Sequence, residues 1–152
     1  MPIDQTAHIG AKPLPDSDRQ LILCAARDAL LAALPNAWAI YVYGSFARGD
    51  DSPGSDIDLA VLLPQDENIG DVMGVMSAVS ARVHREVDLV DLRIVGDVLR
   101  REVLAEGLTP YTSRPDAVLE WEGNAISRYQ HYREEVRDLL QDFEKTGIGY
   151  GS

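Results

Sequence analysis

Cysteine is nearly absent from this 152-residue chain. Cys24 stands alone, so no intramolecular disulfide can form, and its place among Leu21, Ala25 and Leu30 at helical spacing marks it as a small core residue. No apolar run approaches the roughly 18 residues that a membrane-crossing helix needs, which excludes a helical membrane protein. The first fifteen residues lack a basic start followed by an apolar block, so they do not read as a secretory signal and a cytoplasmic location is expected. Basic residues are scarce as well: 14 Lys and Arg face 25 Asp and Glu, for a formal net charge of -11. Binding along a nucleic-acid backbone needs clustered cations, so direct nucleic-acid binding is not expected, and any nucleotide must be met locally with cations shielding it. Internal repeats and low-complexity tracts are missing too. What remains is the composition of an ordinary globular domain, 45% apolar and 26% charged, with a length that suits one hydrophobic core.

Residues 1–15, with Pro2, Gly10, Pro13 and Pro15, read as an irregular lead-in. Behind the caps Asp16 and Ser17, Leu21, Ile22, Ala25, Leu30 and Leu34 recur at helical spacing until Pro35-Asn36 stops them. Ala39 to Tyr43 and Ile57 to Leu63 are short apolar runs that read as strands, joined by a Gly-, Asp- and Ser-rich connection. Ile69 to Val83 reads as a helix, with Met73 and Met76 as core fillers, and Glu86 to Leu92 as a third strand. A short helix carries Val98, Leu99, Val103 and Leu104 and ends at Gly107, after which 110–112 is extended. A long helix over about 114–145 follows, leaving 147–152 as a loose tail. The expected fold class is therefore α/β (α+β), one domain over 16–146 in the order helix, strand, strand, helix, strand, helix, long helix.

The chemistry concentrates between the first two strands. Gly44-Ser45 leaves the first strand directly, ten residues separate Ser45 from Asp56, and Asp58 follows two positions later. Side chains at i and i+2 of a strand share a face, so these carboxylates stand side by side and repel unless a cation lies between them. Magnesium suits such a pair, because it takes oxygen ligands and is commonly held by one or two carboxylates together with substrate phosphates. Gly44 lets the backbone approach a phosphate, and Ser45 can donate its hydroxyl and N–H to one, at the start of a short helical turn. Ser45 is a clamp in this reading and not a nucleophile, since no oxyanion motif surrounds it and the histidines are confined to His8, His84 and His131. The third strand offers Asp88 and Asp91 on opposite faces, so only one can join the pair. Asp88, mid-strand between Val87 and Leu89, is favoured because a carboxylate there would be costly without a metal or donor, whereas Asp91 could cap a loop. Arg48 could pair with a phosphate or with Asp50 or Asp51. Taken singly, Asp-x-Asp and Gly-Ser are common, and the specificity lies in their order and spacing on strands.

The segment Gly44-Ser-Phe-Ala-Arg-Gly-Asp-Asp-Ser-Pro-Gly-Ser-Asp-Ile-Asp58 resembles the signature of the DNA polymerase β nucleotidyltransferase superfamily, without a gap. Through Glu86 to Leu92 and Leu99 to Tyr111 the resemblance extends to its minimal branch, the MntA-like antitoxins of HEPN/MNT toxin-antitoxin modules. It implies a small mixed sheet of the polymerase β type flanked by helices. It further implies that Gly44, Ser45 and Arg48 contact the triphosphate of ATP, and that Asp56, Asp58 and Asp88 bind Mg2+ (or Mn2+) and catalyse transfer. The implied reaction moves AMP from ATP to a tyrosine of the cognate HEPN ribonuclease toxin and inactivates it. The family's larger relatives append an acceptor domain that this chain has no room for, so a partner protein would present the acceptor. The apolar stripe of the last helix, from Trp121 through Tyr132 and Leu139 to Phe143, suits either such a partner or packing on the core. Arg128 and His131 lack the Arg-x4-6-His spacing of HEPN ribonucleases. Two other readings stay open: an aminoglycoside-type nucleotidyltransferase acting on a small molecule, and an antitoxin that works by binding alone.

Overall fold

The structure is a computed structural model that describes residues 16–52 and 54–146. The expected lead-in over 1–15 and tail over 147–152 lie outside those residues. Nine elements follow one another: α1 (Asp16–Ala33), β1 (Ala39–Tyr43), α2 (Gly44–Arg48), β2 (Ile57–Leu62), α3 (Val72–Val83), β3 (Val87–Asp91), α4 (Asp97–Glu106), β4 (Leu108–Thr112) and α5 (Pro115–Thr146). The sheet has the order β3-β2-β1-β4, with β1 antiparallel to β2 and to β4 and β2 parallel to β3, so it is mixed as expected.

Strand alternation divides the core between the two faces of the sheet. Ile40 and Val42 of β1, Ile57, Leu59 and Val61 of β2, and Val87 and Leu89 of β3 point to one side, where they meet Leu30 of α1, Leu34 just after it, and Val79 and Val83 of α3. Ala39, Tyr41 and Tyr43 of β1 and Ala60 and Leu62 of β2 point to the other, against Leu92, Val103 of α4 and Val118 of α5. Each fully buried aliphatic or aromatic side chain contributes roughly 1.5–3 kcal/mol, so both faces are needed to hold a sheet of four short strands. The buried Tyr41 hydroxyl donates to Glu122 of α5 at 2.7 Å, and burial, with this carboxylate beside it, pushes that phenol well above the usual tyrosine range.

Four sequence expectations need correction. The segment over 110–112 is not merely extended: 108–112 forms the fourth strand and pairs with β1. Helix α3 starts at Val72 and not at Ile69, because Gly70 takes a positive φ of 78° and Asp71 caps the helix by accepting from the Gly74 N–H at 3.0 Å. Met73 faces solvent at 71% exposure, and only Met76 packs on the core. Cys24 is half-buried and Leu21 is exposed, since α1 meets the sheet through Ala26, Ala29 and Leu30.

A buried guanidinium fastens the turn between β3 and α4. Arg100 donates to the carbonyls of Leu92, Arg93 and Val95 at 2.8–3.0 Å and pairs with Asp97 at 2.7 Å. Replacing Arg100 by Met keeps the stem and strands three carbonyls, and a loss of roughly 3–5 kcal/mol in stability is expected from chemical denaturation. A loss under about 1 kcal/mol would show that water replaces the guanidinium.

Candidate active site

The site sits where β1 ends and β2 and β3 begin, on the sheet face that also carries α4 and α5. At Gly44 the chain leaves β1 with φ +74°, a left-handed conformation, and a Cβ at this position would run into the Oδ2 of Asp58. Glycine is thus required twice, for the turn and to leave room for a carboxylate. Ser45, half-buried, follows in α2, and its carbonyl accepts from the N–H groups of Gly49 and Asp50 at 3.0 and 3.1 Å, closing the short helix.

Asp58 lies second in β2, paired with Tyr43 across β1 and in register with Asp88 across β3. Partners in register share a face, so the two carboxylates stand side by side; Asp56, immediately before β2, is exposed beside them. Burial, followed by the charges of Asp88, Asp56 and Glu102, raises the pKa of Asp58, with Arg48 pulling the other way. Burial and Asp58, Asp88 and Glu102 likewise push the Tyr43 phenol above its usual range. Among the described residues, no three His, Cys, Asp or Glu side chains form a group that could hold a metal ion by themselves.

The remaining candidates separate. Asp88 is exposed, so the burial penalty used to single it out does not operate; its register with Asp58 is what marks it. Asp91, on the opposite face and 7% exposed, is held by Arg93 at 2.8 and 3.1 Å and accepts from the Arg93 N–H, an end-of-strand cap and no neighbour of Asp58. Arg48 pairs with Asp50 at 3.3 Å and stands 4.0 and 3.9 Å from Glu102 and Glu106. Sequence reasoning missed Glu102, and it missed the device that holds the loop between α2 and β2. Asp51 is 3% exposed and lies between Arg19 of α1 and Arg85, each at 3.1 Å. Both guanidiniums stack on Phe46, and Arg85 also donates to the carbonyls of Ser52 and Ser55. The only sequence signal was an acid in a loop with basic residues far away in the chain.

Residues 28–115 match the polymerase beta nucleotidyltransferase family. Protein adenylyltransferase MntA of Shewanella oneidensis is 34% identical over 110 residues, covering 72% of this chain and 78% of MntA. A chain in a crystal structure of a toxin-antitoxin with AMP-PNP superposes with a TM-score of 0.69 at 28% identity, over 80% of this chain and 98% of that one. A chain in the structure of the tri-AMPylated Shewanella oneidensis HEPN toxin in complex with MNT antitoxin gives 0.66 at 27% identity, over 83% and 98%.

Two outcomes follow from this geometry. Asp51→Asn leaves two guanidiniums facing each other around a neutral amide, so denaturation should show a loss of roughly 3–5 kcal/mol; an unchanged midpoint would mean that the loop does not need its ion pairs. Asp58→Asn should act in the opposite sense. A carboxyl whose pKa is raised by folding destabilises the folded protein once ionised. The asparagine variant should therefore melt higher than wild type at neutral pH without added cation, and the gain should vanish as pH falls below the unfolded Asp value of about 3.9. A variant that melts lower at neutral pH would contradict the repulsion.

Proposed function

The chain belongs to the polymerase beta nucleotidyltransferase family, and from that premise we propose that it is the antitoxin of a HEPN/MNT module, transferring AMP from ATP to a tyrosine of a HEPN ribonuclease toxin. The observation that carries this reading is Asp58, set beside Asp88 and Asp56 in the room that the missing Cβ of Gly44 leaves. The likeness to a protein adenylyltransferase and to an antitoxin chain in complex with an AMPylated toxin supports a protein acceptor. In this reading residues 16–146 act as one nucleotidyltransferase domain in the cytoplasm; among the described residues, no helix is long and apolar enough to cross a membrane.

The donor set fits a hard divalent cation. Asp56, Asp58 and Asp88 offer carboxylate oxygens whose mutual repulsion Arg48 only partly offsets, and ions of this type complete their shell with substrate phosphate and water. Mg2+ or Mn2+ bound there would neutralise triphosphate charge and polarise the α-phosphate. The protein's own groups do the rest. Ser45 donates its hydroxyl and N–H to a phosphate oxygen, and Arg48, held only by exposed carboxylates at 3.3–4.0 Å, turns to the triphosphate. The acceptor phenol oxygen attacks the α-phosphorus, the new O–P bond forms as the bond to the β-phosphate oxygen breaks, and pyrophosphate leaves. The phenolic proton passes to Asp88.

Coexpression with a cognate HEPN protein, followed by intact mass and ribonuclease assay of that protein, tests this reading. The wild-type chain should add AMP and abolish ribonuclease activity, and the Asp56→Asn, Asp58→Asn pair should do neither while remaining folded. Protection by the wild type with no added mass would leave an antitoxin that acts by binding, and transfer to an aminoglycoside without any protein partner would point to a small-molecule acceptor. Asp88→Asn should lower transfer by about 100-fold or more. Asp91→Asn should spare transfer and reduce stability, since it takes the carboxylate partner from Arg93; the reverse result would put Asp91 in the catalytic set.

A further inference from the structure

Strand β3 is an edge: it pairs with β2 alone, and among the described residues no strand lies beyond it. The parallel ladder fixes which backbone groups that edge presents. Ile57 donates to the carbonyl of Glu86 and Leu92 to that of Val61, so Glu86, Asp88 and Val90 turn their N–H and C=O to β2 while Val87 and Leu89 turn theirs outward. Asp91 also turns outward, but its carbonyl is taken by the N–H groups of Ile94 and Val95. Two cavities follow the edge, one of about 400 Å3 bounded by Glu86 and Val87 and one of about 430 Å3 bounded by Leu89, Val90 and Asp91. Consecutive strand residues point to opposite faces, and a space bordered by both faces of a strand runs along its edge. Helix α3 supplies the outer wall, with Met73 and Met76 at the first cavity and Val72 at the second. Met73 is 71% exposed there, an adaptable apolar side chain that the core does not use. A free strand edge flanked by side-chain pockets is the arrangement that takes an extended peptide as an added strand.

The charges select the occupant. Among the described residues neither cavity has a basic lining residue; Glu86 and Asp88 are exposed, and Asp91 is already matched by Arg93. Arg82, nine residues after Met73, projects from the opposite side of α3, and Arg85 is engaged by Asp51. A second copy pairing edge to edge would add its own Glu86 and Asp88 to these acids, whereas a foreign segment with a base would offset them. We infer that the free edge of β3 is where the acceptor protein docks, as an extended segment that adds antiparallel to β3 with a tyrosine opposite Asp88 and a base opposite Glu86. The inference rests on the transfer proposed above. In this register Asp88 falls in a non-hydrogen-bonded pair, where facing residues come closest, about 4.5 Å between Cα atoms, so the phenol starts beside the carboxylate that takes its proton. The residues flanking the tyrosine, opposite Val87 and Leu89, point to the other face, where apolar side chains meet the wall of α3. Read from its N-terminal side, the acceptor segment is therefore apolar, apolar, tyrosine, apolar, base.

Hydrogen exchange of the full chain with and without the full-length toxin, in the absence of ATP, tests docking apart from transfer. The amides of Val87 and Leu89 should slow by about 10-fold or more in the complex, while those of Asp88 and Val90, already bonded to β2, should not change. A Met73→Asp, Glu86→Lys variant alters two exposed positions outside the catalytic set. It should keep the melting point and the ATP affinity of wild type with Mg2+ and raise the KM for the toxin by about 10-fold or more. A synthetic peptide of the stated order should accept AMP; N-methylation of either residue flanking its tyrosine should abolish this, and N-methylation of the tyrosine, whose N–H points away from β3, should not. Edge amides that stay fast in the complex, an unchanged KM for the variant, or a peptide left unmodified while the toxin is modified would overturn the inference. So would edge amides that slow when the chain alone is concentrated, which would make a second copy the occupant, or that are slow only when residues 1–15 are present, which would make it the leading segment. The two readings fail separately: slowed edge amides with a toxin that gains no AMP leave the docking edge standing and remove the transfer, and AMP on the toxin with unchanged edge amides does the reverse.

Discussion

The parallel register of β2 and β3 sets Asp58 next to Asp88, and the rest of the molecule holds them there against their repulsion. Nothing in the local sequence favours this arrangement. Asp58 sits between Ile57 and Leu59, which are 1 and 0% exposed, so moving it would pull two core residues out of the first hydrophobic cluster. A one-residue slip of β2 would turn its whole apolar set to the wrong face. The core therefore supplies the free energy that keeps like charges together.

Position along the loop is fixed by a second set of charges, of the opposite kind. Asp51 is as acidic as its neighbours but is compensated twice, by Arg19 from α1 and Arg85 from the turn before β3. This ties α1, the end of α2 and the approach to β3 into one corner, with Phe46 as the floor on which both guanidiniums rest. Asp51 is matched by two guanidiniums, whereas Asp58, seven positions later, has burial and like charges as the main influences on it, a contrast that sequence proximity could not show.

Much of this was legible in the residues. The strands β1 and β2 were visible because short β-branched and aromatic runs end abruptly at Gly44 and Pro64, and the Gly-Ser to Asp-Ile-Asp interval is a constraint of the loop itself. Other features were hidden for physical reasons. Strand β4 contains Pro110 and shows no burial alternation, since it lies at the sheet edge and is recruited by β1 alone. The true start of α3 depends on turn chemistry at Gly70 and Asp71 that the apolar spacing does not register. Asp88 is exposed although it stands between two apolar residues, because which face of β3 is covered depends on the helices packed across the sheet. Asp51 looked like one more loop acid, and its two partners lie 32 and 34 residues away.

Calorimetric titration of ATP into the full chain, with and without a divalent cation, addresses the central constraint most directly. If Asp56, Asp58 and Asp88 form an anionic site that accepts a triphosphate only together with a metal ion, binding should be strong with Mg2+ or Mn2+ and should disappear in excess chelator. Equal affinity for ATP in the two conditions would mean that the carboxylates do not face the phosphates, and the account of this site would be wrong.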